Sequence, residues 1–117
     1  MKKDDISRME DLRASLSKPL NRGVAGLVLQ IERRPMMFLG GDIGIRSLFH
    51  FLNGWQLGAR EDQDHGEAGL NEKMNAFLAL KYNDFDTLNW KMLLIRHEGE
   101  DAAFDKFFEC FHLMESR

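Results

Sequence analysis

The amino-acid sequence predicts an all-α protein, a compact bundle of about five or six helices in a single domain over residues 1–117. Apolar residues recur at spacings of three and four almost throughout the chain, which is the period of an amphipathic helix. No two segments show the alternating pattern of paired strands. The chain of 117 residues is 44% hydrophobic, which is enough for one core without disulfides or a metal.

The first two helices are predicted on either side of Pro19. The apolar stripe before the proline consists of Ile6, Met9, Leu12 and Leu16. The stripe after it consists of Val24, Leu27, Val28 and Ile31. Because Pro35 disfavours helical geometry at Arg34, the second helix is expected to end near Arg33. The next residues, MMFLG at 36–40, are the one short candidate for extended structure.

A third helix is expected at the centre of the bundle, in the segment IGIRSLFHFLNGWQLGAR at 43–60. Asp42 precedes this segment and is a suitable N-cap residue. The apolar face of the segment consists of Ile45, Leu48, Phe49, Leu52 and Trp55. Its internal glycines lower the intrinsic helix propensity, so either burial holds the helix together or its backbone approaches another element closely. Residues 60–69 are the most polar stretch of the chain and are predicted to form a surface loop.

A fourth helix is expected after this loop, with Asn71 as its cap. Its apolar positions are Met74, Phe77, Leu78 and Tyr82. The following segment NDFD, at 83–86, contains residues that favour turns and helix caps. We therefore expect it to close the fourth helix.

The last two helices are predicted to meet at Gly99. The fifth is expected to begin at a cap on Asp86 or Thr87 and to run through Arg96, with Gly99 as its C-terminal stop. Its predicted inward residues are Leu88, Met92 and Ile95. The last helix is expected to bury an aromatic stripe made of Phe104, Phe107, Phe108, Phe111 and Met114.

The formal net charge of -3 is unevenly distributed along the chain. Residues 1–60 contain ten Lys and Arg against six Asp and Glu, whereas residues 61–117 contain six against thirteen. The acidic second half argues against direct binding of nucleic acid, because phosphate contacts need clustered cations. It favours a basic protein partner, since complementary charge speeds association and selects partners.

Catalytic chemistry is not indicated by any constellation of residues. The single cysteine, Cys110, lies beside the aromatic stripe and is expected to be an inert, partly buried thiol. The four histidines share no metal-ligand spacing, and the glycine-rich segment FLGGDIG lacks the lysine of a phosphate-binding loop. We therefore expect a protein that is not an enzyme and has no metal and no cofactor. Trp55, Phe85 and Trp90 are candidate anchors of a protein interface.

The expected location is the cytoplasm. No apolar run approaches the roughly 20 residues that cross a bilayer. One cysteine cannot form an internal disulfide, and the N-terminal segment MKKDDISRMEDL has no apolar stretch after its basic residues. These features predict neither a secreted protein nor a membrane protein.

Three segments resemble a family of small bacterial proteins. RRPMMFLG at 33–40 resembles an RPxMY/FxG element, and IRSLFHFLNGWQLG at 45–58 resembles the helix that follows it in that family. EDAAFDKFFECFHLM at 100–114 resembles the distal aromatic helix, which is preceded by acidic residues. Several such proteins are identified as immunity proteins of contact-dependent growth-inhibition and related toxin systems.

The resemblance implies a protein that binds and neutralises a cognate toxin domain, often a nuclease. Because nucleases present cationic clefts to nucleic acid, carboxylates are the expected contacts with such a partner. The candidate partner-binding residues are Glu61, Asp62, Asp64 and Glu67 in the polar loop, with Asp84 and Asp86 as a second cluster. The alternative function is a small regulatory or adaptor domain that binds a protein without neutralising it. Whether the chain is a monomer or a dimer is left open.

Overall fold

The computed structural model describes residues 3–59, 66–86 and 89–116, without the side chains of residues 3–5 and 59. These residues form seven α-helices and no strand, which confirms the all-α class and adds one helix to the predicted number. The helices are Lys3–Ser17 (α1), Arg22–Arg33 (α2), Pro35–Leu39 (α3), Ile45–Ala59 (α4), Leu70–Tyr82 (α5), Trp90–Glu98 (α6) and Glu100–Glu115 (α7). Among the described helices, none is long and apolar enough to cross a membrane.

The additional helix is α3, where the sequence predicted extended structure. Arg34 leaves helical geometry with φ of -140° and separates α2 from α3, so the predicted end of α2 at Arg33 is confirmed. Pro35 is the first residue of α3, a position where its fixed φ suits the helix and its missing N–H costs nothing. Gly40 ends the helix with φ of 68°. The extended prediction for 36–40 is therefore wrong, because the proline that ends one helix also starts the next.

The N-terminus of α4 is capped differently from the prediction. The helix begins at Ile45, and the Oγ of Ser47 accepts a hydrogen bond from the Gly44 backbone N–H at 3.2 Å. Asp42 contributes its backbone carbonyl, which accepts from the Ser47 hydroxyl. The predicted N-cap role of Asp42 is wrong, because a serine within the first turn satisfies the exposed backbone donor instead.

The predicted apolar face of α4 is confirmed. Ile45, Leu48 and Leu52 are buried, and Phe49 and Trp55 pack against the core while remaining half-buried. The predicted stripe of α7 is confirmed in the same way, since Phe107, Phe108, Phe111 and Met114 are buried and Phe104 is half-buried. These two faces contribute much of the core, together with residues of α2, α5 and α6.

The register of α6 differs from the predicted one. Asn89 is the N-cap and accepts a hydrogen bond from the Met92 backbone N–H at 2.9 Å. The inward residues are Trp90, Leu93 and Leu94, whereas Met92 is 36% exposed. The prediction that Met92 points inward is therefore wrong, and Ile95 is half-buried. The proposed cap Thr87 and the proposed inward residue Leu88 lie outside the described residues. Gly99 ends α6, as predicted.

A partly buried hydrogen-bond network connects α4, α5 and α6. Asn71 donates to the Oδ1 of Asn53 and accepts from the indole Nε1 of Trp90, both at 2.8 Å. Asn71 lies inside α5, whose N-cap position is occupied by Gly69. The predicted cap role of Asn71 is therefore wrong, because its side chain is used between helices instead.

The linker between α1 and α2 is held against the segment that precedes α5. The Asn21 N–H donates to the Ala68 carbonyl, and the Ala68 N–H donates to the Pro19 carbonyl, both at 2.9 Å. Leu20 and Ala68 are buried at this bridge. The bridge brings the start of α2 close to α5 in spite of their separation in sequence.

Candidate functional site

The candidate site is a polar surface where the turn between α5 and α6 meets the end of α6. Of the predicted partner-binding residues, Asp84 and Asp86 lie in this turn. Glu67 lies before α5, is half-buried and makes no ion pair with any described residue. Glu61, Asp62 and Asp64 lie outside the described residues.

The turn at 83–86 closes α5, as its sequence predicted. Asn83 is the C-cap of α5 and adopts the left-handed conformation, with φ of 51° and ψ of 45°. The Asp84 N–H donates to the Ala79 carbonyl at 3.0 Å, and the Oδ1 of Asp84 accepts from the Asp86 N–H at 3.3 Å. This local bonding fixes the direction in which the two carboxylates leave the turn.

Arg96 and His97, at the end of α6, hold the two carboxylates. Arg96 Nη1 lies 3.0 Å from Asp84 Oδ2 and 3.2 Å from Asp86 Oδ2, and His97 Nε2 lies 2.8 Å from Asp84 Oδ2. The hydrogen bond from His97, followed by that from Arg96, lowers the pKa of Asp84. The Asp84 side chain is only 11% exposed, whereas that of Asp86 is 75% exposed. Asp86 is consequently the more accessible carboxylate of this pair, although it shares Arg96 with Asp84.

Tyr82 and Glu98 extend the polar surface toward α7. The Tyr82 ring stacks on the His97 imidazole with centroids 4.3 Å apart and planes 8° apart. The Tyr82 hydroxyl donates to Glu98 Oε2 at 2.6 Å, and burial together with this bond raises the pKa of the hydroxyl. Lys106 then lies 4.0 Å from Glu98 and 3.3 Å from Glu109. These contacts make a continuous polar surface from the turn to α7.

The outer face of α7 carries carboxylates at one-turn intervals. Asp101, Asp105 and Glu109 are exposed at successive i, i+4 positions, which lie on one side of a helix. Asp101 and Asp105 form no ion pair with any residue that the structure describes, and the Glu109 side chain is 62% exposed. Because this face is negative and accessible, it can attract a cationic surface.

Acid–base and nucleophilic chemistry has little support in this arrangement. The His97–Asp84 pair has the geometry of a base and its orienting carboxylate, but the nearby hydroxyl of Tyr82 already donates to Glu98. Cys110 is buried, and burial raises the pKa of its thiol, which disfavours the reactive thiolate. In the described part of the chain, no group of three His, Cys, Asp or Glu residues could hold a metal ion.

Sequence reasoning missed the cations and aromatic groups that organise this surface. The sequence analysis assigned no site role to Arg96, His97 or Glu98, because nothing in the residue spacing shows that the end of α6 lies against the turn that precedes α6. Trp90 is fully buried, so its prediction as an interface anchor is wrong. Trp55 and Phe85 are half-buried, and their role at an interface stays a prediction.

No protein-family model, curated protein or solved structure shows significant similarity to the chain. The resemblance of the segments at 33–40, 45–58 and 100–114 to immunity proteins therefore stays a prediction.

Proposed function

We propose that this protein is a non-enzymatic immunity protein, which binds the basic domain of a bacterial toxin and blocks its active site. The observation that carries the proposal is the acidic surface formed by the outer face of α7 and the turn between α5 and α6. We call this surface the acidic face and define it as Asp86, Asp101, Asp105 and Glu109.

The acidic face keeps a net negative charge although Arg96 pairs with Asp86 and Lys106 pairs with Glu109. Arg96 bridges Asp84 and Asp86, and Lys106 lies between Glu98 and Glu109. From residue 66 to residue 116 the chain has ten Asp and Glu against five Lys and Arg. The residual charge of this region is therefore negative, as a partner with a cationic cleft requires.

A nuclease toxin is the partner that this charge suits best. Its active-site cleft must attract phosphate groups, so it is cationic before nucleic acid binds. An acidic surface steers the encounter and then competes with the nucleic-acid backbone for the same cations. The proposal does not require any chemical step by the immunity protein.

The direct test uses the toxic domain from the reading frame immediately upstream of the gene. Expression of that domain alone is expected to arrest growth, and coexpression of this protein is expected to restore it through a complex that gel filtration detects. Persistent growth arrest without a complex, or an upstream frame that encodes no toxic domain, would contradict the proposal.

The role of the acidic face is tested by neutralising part of it. The triple variant Asp101→Asn, Asp105→Asn and Glu109→Gln should slow association about tenfold at low salt and flatten its salt dependence. The matched control Glu10→Gln, Asp11→Asn and Asp42→Asn changes net charge equally at exposed positions of the first half. Equal association rates for the two variants would exclude the acidic face as the contact.

The second candidate function is an adaptor domain that binds a protein without neutralising it. It is favoured by α3, where Met36 and Met37 are 69% and 71% exposed beside the exposed Arg33 and Arg34. Methionine side chains adapt to varied apolar surfaces and are common at promiscuous binding sites. If Met36→Ser with Met37→Ser abolishes the complex while the acidic-face variant preserves it, the adaptor function is favoured.

A further inference from the structure

A groove of about 600 Å³ lies between the end of α1, the start of α2, α5 and the end of α7. It exists because the linker at 19–21 is bonded to Ala68, which places the first turn of α2 beside α5. Its volume falls within the range of small-molecule sites. The groove and the acidic face have no residue in common.

Three cations line this groove, and one of them is buried. Lys73 of α5 is 7% exposed, and its ammonium lies 3.6 Å from Glu115 Oε1. That distance is too long for a hydrogen bond, and the Lys73 ammonium donates no hydrogen bond to any described residue. The ammonium has three donors, so Lys73 can donate to an anion in the groove that its side chain lines.

The other two cations are Lys18 and Arg22. Arg22 is the first residue of α2 and forms no ion pair within the described part of the chain. The first turn of α2 contains no acidic residue, so no carboxylate there competes for an anion. Lys18 pairs at 3.7 Å with Glu72, which does not line the groove, and both side chains are nearly half exposed.

We propose that this groove binds a small organic phosphate monoester. Lys18, Arg22 and Lys73 against the carboxylates of Glu115 and Glu72 leave one net positive charge, which the phosphate group of the ester would complement. A guanidinium and two ammonium groups are suited to phosphate oxygens, the first as a planar fork and the others as point charges. The remaining wall includes Leu16, Leu20 and Met114, which can contact the apolar body of an ester but not a free phosphate ion.

The proposal is tested by titrating the full-length protein with phenyl phosphate, inorganic phosphate and benzoate, following backbone amide signals by NMR. Phenyl phosphate should bind saturably and shift signals of residues 16–26, 73 and 114–115. Inorganic phosphate should bind at the same place more weakly, since it cannot contact the apolar wall. Benzoate, with one negative charge, should also bind more weakly than phenyl phosphate.

Variants identify the groups that bind. Lys73→Met keeps the length and apolar stem of the side chain and should weaken phenyl phosphate binding at least about tenfold. Glu115→Gln should strengthen it, because a competing carboxylate is removed. The control Lys81→Met removes an exposed cation from the same helix and should leave affinity unchanged.

Several results would overturn the proposal. These are the absence of saturable shifts in the groove, equal affinities of Lys73→Met and Lys81→Met, or an affinity for inorganic phosphate or benzoate that equals that for phenyl phosphate. Arg22→Ala provides a second test in case Lys73→Met does not fold, because Arg22 is exposed. Unchanged affinity in a folded Arg22→Ala variant would equally contradict the assigned site.

Discussion

Asn71 connects three helices through the hydrogen bonds of its side chain. Its amide nitrogen donates to Asn53 on α4, and its oxygen accepts from the indole of Trp90 on α6. Trp90 is fully buried, so its N–H depends on this acceptor. The asparagine is consequently a specific requirement of the core rather than a helix cap.

Replacing Asn71 by alanine should lower the free energy of unfolding by about 2 kcal/mol, because the indole N–H would remain buried without an acceptor. Chemical denaturation measures the change. Asn75→Ala is the matched control one turn later on α5, where the buried Oδ1 has no hydrogen-bond partner among the described residues. It should cost less than about 1 kcal/mol. An equal loss in both variants would show that side-chain volume, rather than the hydrogen bond, is responsible.

Asp84 makes stability dependent on pH in the acid range. Its pKa is lowered from 3.8 by hydrogen bonds from His97, Arg96 and the Asp86 backbone. Because the folded state prefers the charged carboxylate, this contribution is fully present above pH 3.8 and is lost as the pH falls through the lower folded-state pKa.

We therefore expect Asp84→Asn to lower the denaturation midpoint at neutral pH and to approach the wild-type midpoint as the pH falls below the folded-state pKa. Urea denaturation across this range provides the measurement. Asp105→Asn is the control, since Asp105 is exposed and forms no ion pair with the described residues. A difference between Asp84→Asn and wild type that does not shrink in acid would contradict the ionic origin of the effect.

At the scale of elements, the helix ends determine where each helix presents its side chains. Asn89 caps α6 and Ser47 supports the start of α4, so both helices start later than the caps proposed from sequence. Gly99 is at once the C-cap of α6 and the residue before α7, with φ of 89° and ψ of 152°. That conformation is essentially restricted to glycine, so one residue sets the angle between two core helices.

Gly99→Ala should destabilise the protein by about 1–3 kcal/mol, although a Cβ there would meet no atom within 4 Å. Gly54→Ala is the contrasting variant, because Gly54 lies exposed inside α4 and a Cβ there also meets open space. This change should stabilise by about 0.5–1 kcal/mol through higher helix propensity. Thermal and chemical denaturation would reveal both signs, and a neutral Gly99→Ala variant would refute the backbone argument.

Across the whole molecule, the acidic face is negative and the groove between α1, α2, α5 and α7 is positive. The acidic face lies on α7 and the turn after α5, whereas the cationic groove combines α1, α2 and the buried Lys73 of α5. If both proposals hold, salt should weaken association with the proposed toxin domain at one site and binding of the proposed phosphate ester at the other. Variants of one surface are expected to leave the other unaffected, since they share no ion pair among the described residues.

The helical class, the apolar faces of α2, α4 and α7, and the ends of α2 and α6 follow from the amino-acid sequence alone. Those properties depend on residues close in the chain, where helical spacing, proline and glycine act directly. The packing of the helices, in contrast, settles that Asp84 is enclosed by Arg96 and His97 while Asp86, which also pairs with Arg96, stays largely exposed. It also settles that the Lys73 side chain is buried beside Glu115. Burial and pairing depend on which helices meet, and residues far apart in sequence create them.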